Sequence, residues 1–169
     1  MDEDKLNKLP PDVKKQFVKL ALKLSEKKTK TKVNDDFLSF VKHVWPEFIE
    51  GKHHKEIAEK FNQIARGEIK RLIINMPPRH TKSEFASFLL PSWMVGRKPD
   101  LKIIQTTHTT ELAIRFGRKA KTLMDSAEYK QVFKTRLRED SQAAGKWETE
   151  QGGEYYAAGV GSAITGRGA

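Results

Sequence analysis

Apolar residues recur at helical spacing along most of this chain and bunch at strand spacing in a few short runs. Val13, Phe17, Leu20, Ala21 and Leu24 fall on one face of a helix opened by Pro10-Pro11-Asp12, and Ser25 to Lys32 follows as a polar run without periodicity. That run reads as a linker. Asn34 is a good N-cap for a second helix carrying Phe37, Phe40, Val41 and Val44, which Trp45-Pro46 closes. Ile57, Phe61 and Ile64 mark a third helix, stopped at Gly67 in the position of a C′ glycine. Leu72, Ile73 and Ile74 form the continuous run expected of a strand buried on both faces, and Pro77-Pro78 ends it, because proline fixes φ and cannot donate to a ladder.

From Lys82 the pattern turns helical again, with Phe85, Phe88, Leu89 and Met94, until Pro91 kinks or ends it. Lys98-Pro99-Asp100 then leads into a second strand, Leu101 to Thr107. Strand, helix, strand at this spacing is a βαβ unit, so the two strands are expected to run parallel with a right-handed crossover. Thr109 or Thr110 caps the next helix, which buries Leu112, Ala113, Phe116, Ala120 and Leu123 and shows Arg115, Arg118, Lys119 and Lys121 on its other face. A short helix around Tyr129 to Phe133 and a charged loop to Gln142 follow. From Trp147 the chain mixes β-formers with glycine, as in a hairpin turning at Gly152-Gly153. The fold class is therefore α/β, with a parallel sheet flanked by helices and preceded by a helical segment.

The first βα junction, from Arg71 to Glu84, holds the densest chemistry. Its helix starts where the charges sit, and the unpaired N–H groups and dipole of a helix's first turn favour an anion there. Against the phosphate-loop pattern G-x-x-x-x-G-K-[ST], Lys82 and Ser83 match the end. Met76 and Thr81 stand where the two glycines belong, and a β-branched residue is a poor substitute wherever φ is positive. An ordinary strand-turn-helix connection with a surface lysine has the same spacing.

Charge sharpens the picture. The net charge of +10 and pI near 9.7 point to a polyanionic partner. Residues 1–32 hold ten lysines against five acids, half of the net charge, as a basic arm set apart from residues 33–169. The basic helix face at Arg115 to Lys121 is a second candidate DNA or phosphate surface, and a solvated face is its plainer explanation. Thr107 and His108, at the carboxyl end of a strand, sit where ligands bind in open α/β sheets. The adjacent His53 and His54 point about 100° apart on a helix, without a third ligand nearby, and do not read as a metal site. There is no cysteine for a disulfide or thiolate site, no apolar run long enough to span a membrane, and no hydrophobic stretch after the acidic Met1-Asp-Glu-Asp.

The segment IKRLIINMPPRHTKSE resembles the divergent Walker A segment of the large terminase subunits of tailed bacteriophages, in which a Pro-Pro-Arg-His-x-Lys-Ser form is common. The similarity runs from about Phe37 to Ala169, through GKHHKEIAEKF, PSWMVGRKPDLKIIQTTHTTELAIRFGRK and GVGSAITGRGA. That family usually keeps glycine where Thr81 stands. The resemblance implies a P-loop NTPase-type sheet and the N-terminal ATPase part of a motor that uses ATP and Mg²⁺ to drive double-stranded DNA into a viral prohead.

It also implies roles. Lys82 would reach the β/γ-phosphates, Ser83 the Mg²⁺, and Pro78, Arg79, His80, Thr81 and Glu84 would surround the nucleotide. Trp45, Phe48 and His54, in the region that helps hold the base, are candidate adenine contacts. Arg79 in cis, or Arg167 reaching a neighbouring subunit, would stabilise transition-state charge. Expected partners are a portal protein, the small terminase subunit and further copies in a ring, in the host cytoplasm and transiently at the prohead. No apolar strand ending in Asp or Glu follows the loop, as a Walker B strand would. In the family that strand begins just after a Gly-Arg-Gly-Ala segment, so the expectation is an incomplete domain, inactive alone, with a nuclease domain farther on. Two other readings stay open: a helicase-like P-loop ATPase, and a non-enzymatic basic DNA-binding module.

Overall fold

A computed structural model describes residues 10–162 and Ile164. In it α1 (Pro11–Asp35), α2 (Phe37–Val44) and α3 (Lys52–Ala65) precede the loop region. A π-helical segment, Glu84–Leu89, runs directly into α4 (Leu90–Arg97), and β1 (Lys102–Thr107), α5 (Thr110–Asp125), α6 (Ala127–Val132), β2 (Leu137–Ala143), β3 (Lys146–Thr149) and β4 (Glu154–Gly159) follow. The chain is thus α/β, with a four-stranded mixed sheet in the order β1-β4-β3-β2 and helices beside it.

The helical layer is held by aromatic side chains. Phe37 meets Phe61, Phe85 and Trp93 edge-on at centroid distances of 5.0, 5.4 and 5.5 Å, so α2, α3, the π-helical segment and α4 share one buried knot. Polar groups lock its rim. Asn62 accepts from the Phe37 N–H at 2.8 Å and donates to Asp36 at 2.9 Å, while Asp36 caps α2 through Ser39 N–H at 2.7 Å. Burial pushes the Asp36 carboxyl up, and the Ser39 and Asn62 hydrogen bonds outweigh it, leaving its pKa below the ordinary value. The cap is Asp36 rather than Asn34, because α1 continues unbroken through the stretch that reads as a linker; lysines and threonines in Ser25 to Lys32 lack an apolar period without being helix breakers.

The sheet is mixed, where a parallel sheet with a separate hairpin is expected from the sequence. β1 pairs parallel with β4, from Lys102 opposite Glu154 to Thr107 opposite Gly159, whereas β4–β3 and β3–β2 are antiparallel. Leu72 to Ile74 join no ladder among the described residues: Leu72 and Ile74 pack half-buried on the core, and Ile73 is 86% exposed. A run of three apolar residues has no periodicity with which to distinguish a two-faced strand from a one-faced extended segment. β2 lies in what reads as a charged loop, because its side chains are mostly polar. The β3–β4 hairpin turns at Gly152, whose φ is +87°, as Gly152-Gly153 predicts.

α5 lies close against the sheet at one point. Trp147 and Tyr155 stack at 4.8 Å, with Trp147 Nε1–H donating to the Gly117 carbonyl at 3.2 Å. A Cβ at Gly117 would stand 2.5 Å from the Ala144 carbonyl oxygen and 2.6 Å from the Tyr155 ring. Gly117→Ala is therefore expected to cost about 1–3 kcal/mol through forced separation of helix and sheet. Urea denaturation followed by tryptophan fluorescence measures this, and an unchanged midpoint would contradict the packing described.

Candidate functional site

Residues 71–77, neither helix nor ladder strand, lead to the loop, and Pro78 and Arg79 turn the chain. His80 Nδ1–H donates back to the Pro78 carbonyl at 2.9 Å. Arg79 and Thr81 both adopt left-handed backbone, at φ 65° and 59°. For a non-glycine residue this conformation costs roughly 1–2 kcal/mol, and more for a β-branched one, so something must hold it.

His54 supplies the hold. It sits three residues after Gly51 at the start of α3, where its Nδ1 accepts from the Gly51 N–H at 2.8 Å and its own N–H donates to the Gly51 carbonyl at 3.1 Å. An accepting Nδ1 leaves the proton on Nε2, and that N–H donates to Thr81 Oγ1 at 2.6 Å. The Thr81 hydroxyl in turn donates to the His80 carbonyl at 2.6 Å. Three hydrogen bonds in one direction thus run from the α3 N-terminus into the loop. His54 is buried, with Phe48 and Phe85 at ring distances of 4.8 and 5.0 Å. Burial, reinforced by His53 and His80, lowers its pKa. A neutral ring is what the Nδ1 acceptor requires.

Beyond Thr81 the chain is helical at once. Phe85 N–H bonds the Thr81 carbonyl at 2.9 Å, and Ser83 has φ −71° and ψ −33° with its hydroxyl making no cap. Leu90 N–H reaches back five residues to the Phe85 carbonyl, a π register. Pro91 offers no N–H, so the register changes where the ladder lacks a bond anyway. Helix continues past it to Arg97, so Pro91 does not end the helix.

Lys82, Ser83 and Arg79 are exposed, and no hydrogen bond or ion pair engages the Lys82 ammonium or the Arg79 guanidinium among the described residues. Glu84 is engaged: Lys119 of α5 donates to both its oxygens at 2.7 and 2.8 Å and lies 5.3 Å from the centre of the Phe88 ring. Met76 to Arg79 and Thr81 to Glu84 surround a pocket of about 570 Å³, within the ordinary range for a small-molecule site. A larger hollow of about 740 Å³, near Phe133 and Arg136, mixes acids with bases and converges on no single charge.

Of the residues expected around a nucleotide, Pro78 to Glu84 form the loop and the first turn after it, and His54 reaches the loop through Thr81. Phe48 packs on the His54 ring at 4.8 Å and on Trp45 at 5.5 Å. Arg167 lies outside the described residues. Thr107 turns its hydroxyl to the Thr109 carbonyl at 2.7 Å, and Thr109 caps α5 through Leu112 N–H. Lys119 has no local sequence signal for its partner, which lies 35 residues earlier. The donor set suits a polyphosphate. For magnesium it is one-sided: Ser83 offers a hydroxyl, Glu84 is occupied by Lys119, and no group of three His, Cys, Asp or Glu fit to hold a metal occurs among the described residues.

Comparison with family models, with curated proteins and with solved structures finds no match for this chain. Among the described residues no helix is long and apolar enough to cross a membrane.

The lowered pKa of His54 sets a pH dependence. The folded state binds its proton less readily than the unfolded chain, so the contribution is complete above the unfolded value near 6.5 and is lost as pH falls through the folded pKa. Denaturation midpoints of wild type and His54→Gln are expected to differ most above pH 7 and to converge toward pH 5. A constant gap would remove the neutral-ring assignment.

Proposed function

We propose that this chain is the ATP-binding part of a DNA-packaging motor of the large-terminase kind, whose ATP hydrolysis moves double-stranded DNA into a viral prohead. One observation carries the reading: a loop with left-handed residues at Arg79 and Thr81 opens directly into a helix, with Lys82 at its first turn unpartnered among the described residues. Alternating left- and right-handed residues turn successive backbone N–H groups toward one concavity, the geometry that cradles phosphate. Lys82 then meets the β/γ-phosphates as a point charge. Thr81 does the work of the usual glycine because His54 holds it in the glycine-like conformation.

The finer reading of the fold is a P-loop sheet, in which segment 71–77, outside any ladder here, would take the place of the strand before the phosphate loop. Arg79, exposed in the same turn, stands where its guanidinium meets charge developing on the transferred phosphoryl group. A bound magnesium ion would neutralise charge between the phosphates, with Ser83 as the chain's own contribution. His54 fixes loop shape and takes no proton from water or substrate, since Thr81 Oγ1 occupies its Nε2–H.

A specific observation favours a nucleic-acid partner as well. Arg115 and Arg118 stand exposed on α5 with no ion pair among the described residues, one turn apart on the face that also carries Lys119. The non-enzymatic version of this surface predicts salt-sensitive DNA binding that ignores ATP.

Lys82→Ala separates these readings. With the fold unchanged by circular dichroism, the variant is expected to bind ATP at least about tenfold more weakly, as loss of a charge-assisted contact to phosphate implies. Titration with a fluorescent ATP analogue reads the affinity, and equal affinity in the two proteins would sink the assignment.

A further inference from the structure

α1 is anchored near its C-terminal end, where Val33 is buried and its carbonyl accepts from Trp93 Nε1–H at 3.0 Å. Farther back, Val13, Phe17, Leu20 and Leu24 are 44%, 37%, 56% and 52% exposed. These are the side chains that a helix of a globular protein turns inward. Their spacing of four, three and four residues is that of the core positions of two heptads. At about 100° per residue the four lie within roughly 60° of one another, and Val33 points to roughly the opposite side. The seam therefore faces away from the body. Val18 and Leu22, also exposed, lie on the Val33 side.

Charge decides what can cover such a seam. α1 carries eight lysines against three acids, and in the heptad frame Lys14, Lys23 and Lys28 fall at the positions that border the seam. Asp12 and Glu26 lie toward the body side. A second copy of the helix would set lysine against lysine along both borders, which disfavours self-pairing. A helix lying in a membrane surface presents a broad apolar face, of order 100° or more, whereas this stripe is narrow and hemmed by lysine. We propose that the seam docks an acidic amphipathic helix of a partner protein, with its apolar side chains against Phe17 and Leu20 and its carboxylates against Lys23 and Lys28. The contact is a short heterotypic coiled coil, independent of the nucleotide site.

The test uses the full chain and a labelled synthetic peptide of three heptads with leucine at the core positions and glutamate at the bordering ones. A control peptide carries lysine at the borders. Fluorescence anisotropy is expected to show binding of the glutamate peptide, at least about tenfold weaker binding of the lysine peptide, and weakening with salt. Leu20→Asp, at an exposed position, is expected to lose the glutamate peptide by about tenfold or more with the helical signal intact. The double change Lys23→Glu, Lys28→Glu reverses the peptide preference. Equal binding of both peptides, or indifference to Leu20→Asp, overturns the proposal. So does a concentration-dependent dimer that Leu20→Asp abolishes, which would make a second copy the occupant, or adsorption to phosphatidylserine vesicles without peptide binding, which would make it lipid.

Discussion

A single hydrogen bond decides the shape of the loop on which the functional reading rests. Thr81 holds a left-handed backbone that a β-branched residue adopts only under constraint, and the constraint is the Nε2–H of His54 at 2.6 Å. Its worth depends on burial. The imidazole is 6% exposed and packed by Phe48 and Phe85, so losing the bond would leave a largely buried donor unsatisfied. The same ring closes the first turn of α3 through Gly51, so the third helix and the loop are positioned by one side chain. Below both lies the aromatic knot around Phe37, which fixes where α3 and the π-helical segment stand.

Much of this was legible in the sequence, for reasons tied to particular residues. Helices with an apolar period and a capping group were readable: Gly67 stops α3 with φ +77°, and Thr109 caps α5. The run Leu72 to Ile74 was misleading, because what makes a strand is a partner, and β1 finds its parallel partner in β4 far along the chain. β2 was hidden by its polar side chains. The linker at Ser25 to Lys32 became helix because nothing in it forbids helix.

The loop shows the same limits at finer scale. Pattern matching marks Thr81 as a fault, since the side chain that supports its conformation lies 27 residues earlier and carries no pattern of its own. His54 was visible as a candidate contact, but its hydrogen bond to Thr81 has no signal in the sequence. Lys119 illustrates the converse. It belongs by sequence to a basic face, and by structure its charge is committed to Glu84.

That commitment gives the loop its sign. Glu84 is the carboxylate nearest in sequence to Lys82 and Ser83, and left alone it would oppose an anion in the same pocket. With Lys119 donating to both oxygens its charge is largely offset, and Lys82 and Arg79 remain as cations at the pocket without a partner among the described residues. Both ammonium and carboxylate are more than a third exposed, at 37% and 35%, so the pair adds little to stability. Its consequence is electrostatic. The ion pair ties the first turn after the loop to α5, so a polyanion gathered by Arg115 and Arg118 would compete for the lysine that keeps Glu84 from opposing phosphate. On the proposed reading, the basic surface and the anion pocket would share one cation, Lys119, between them.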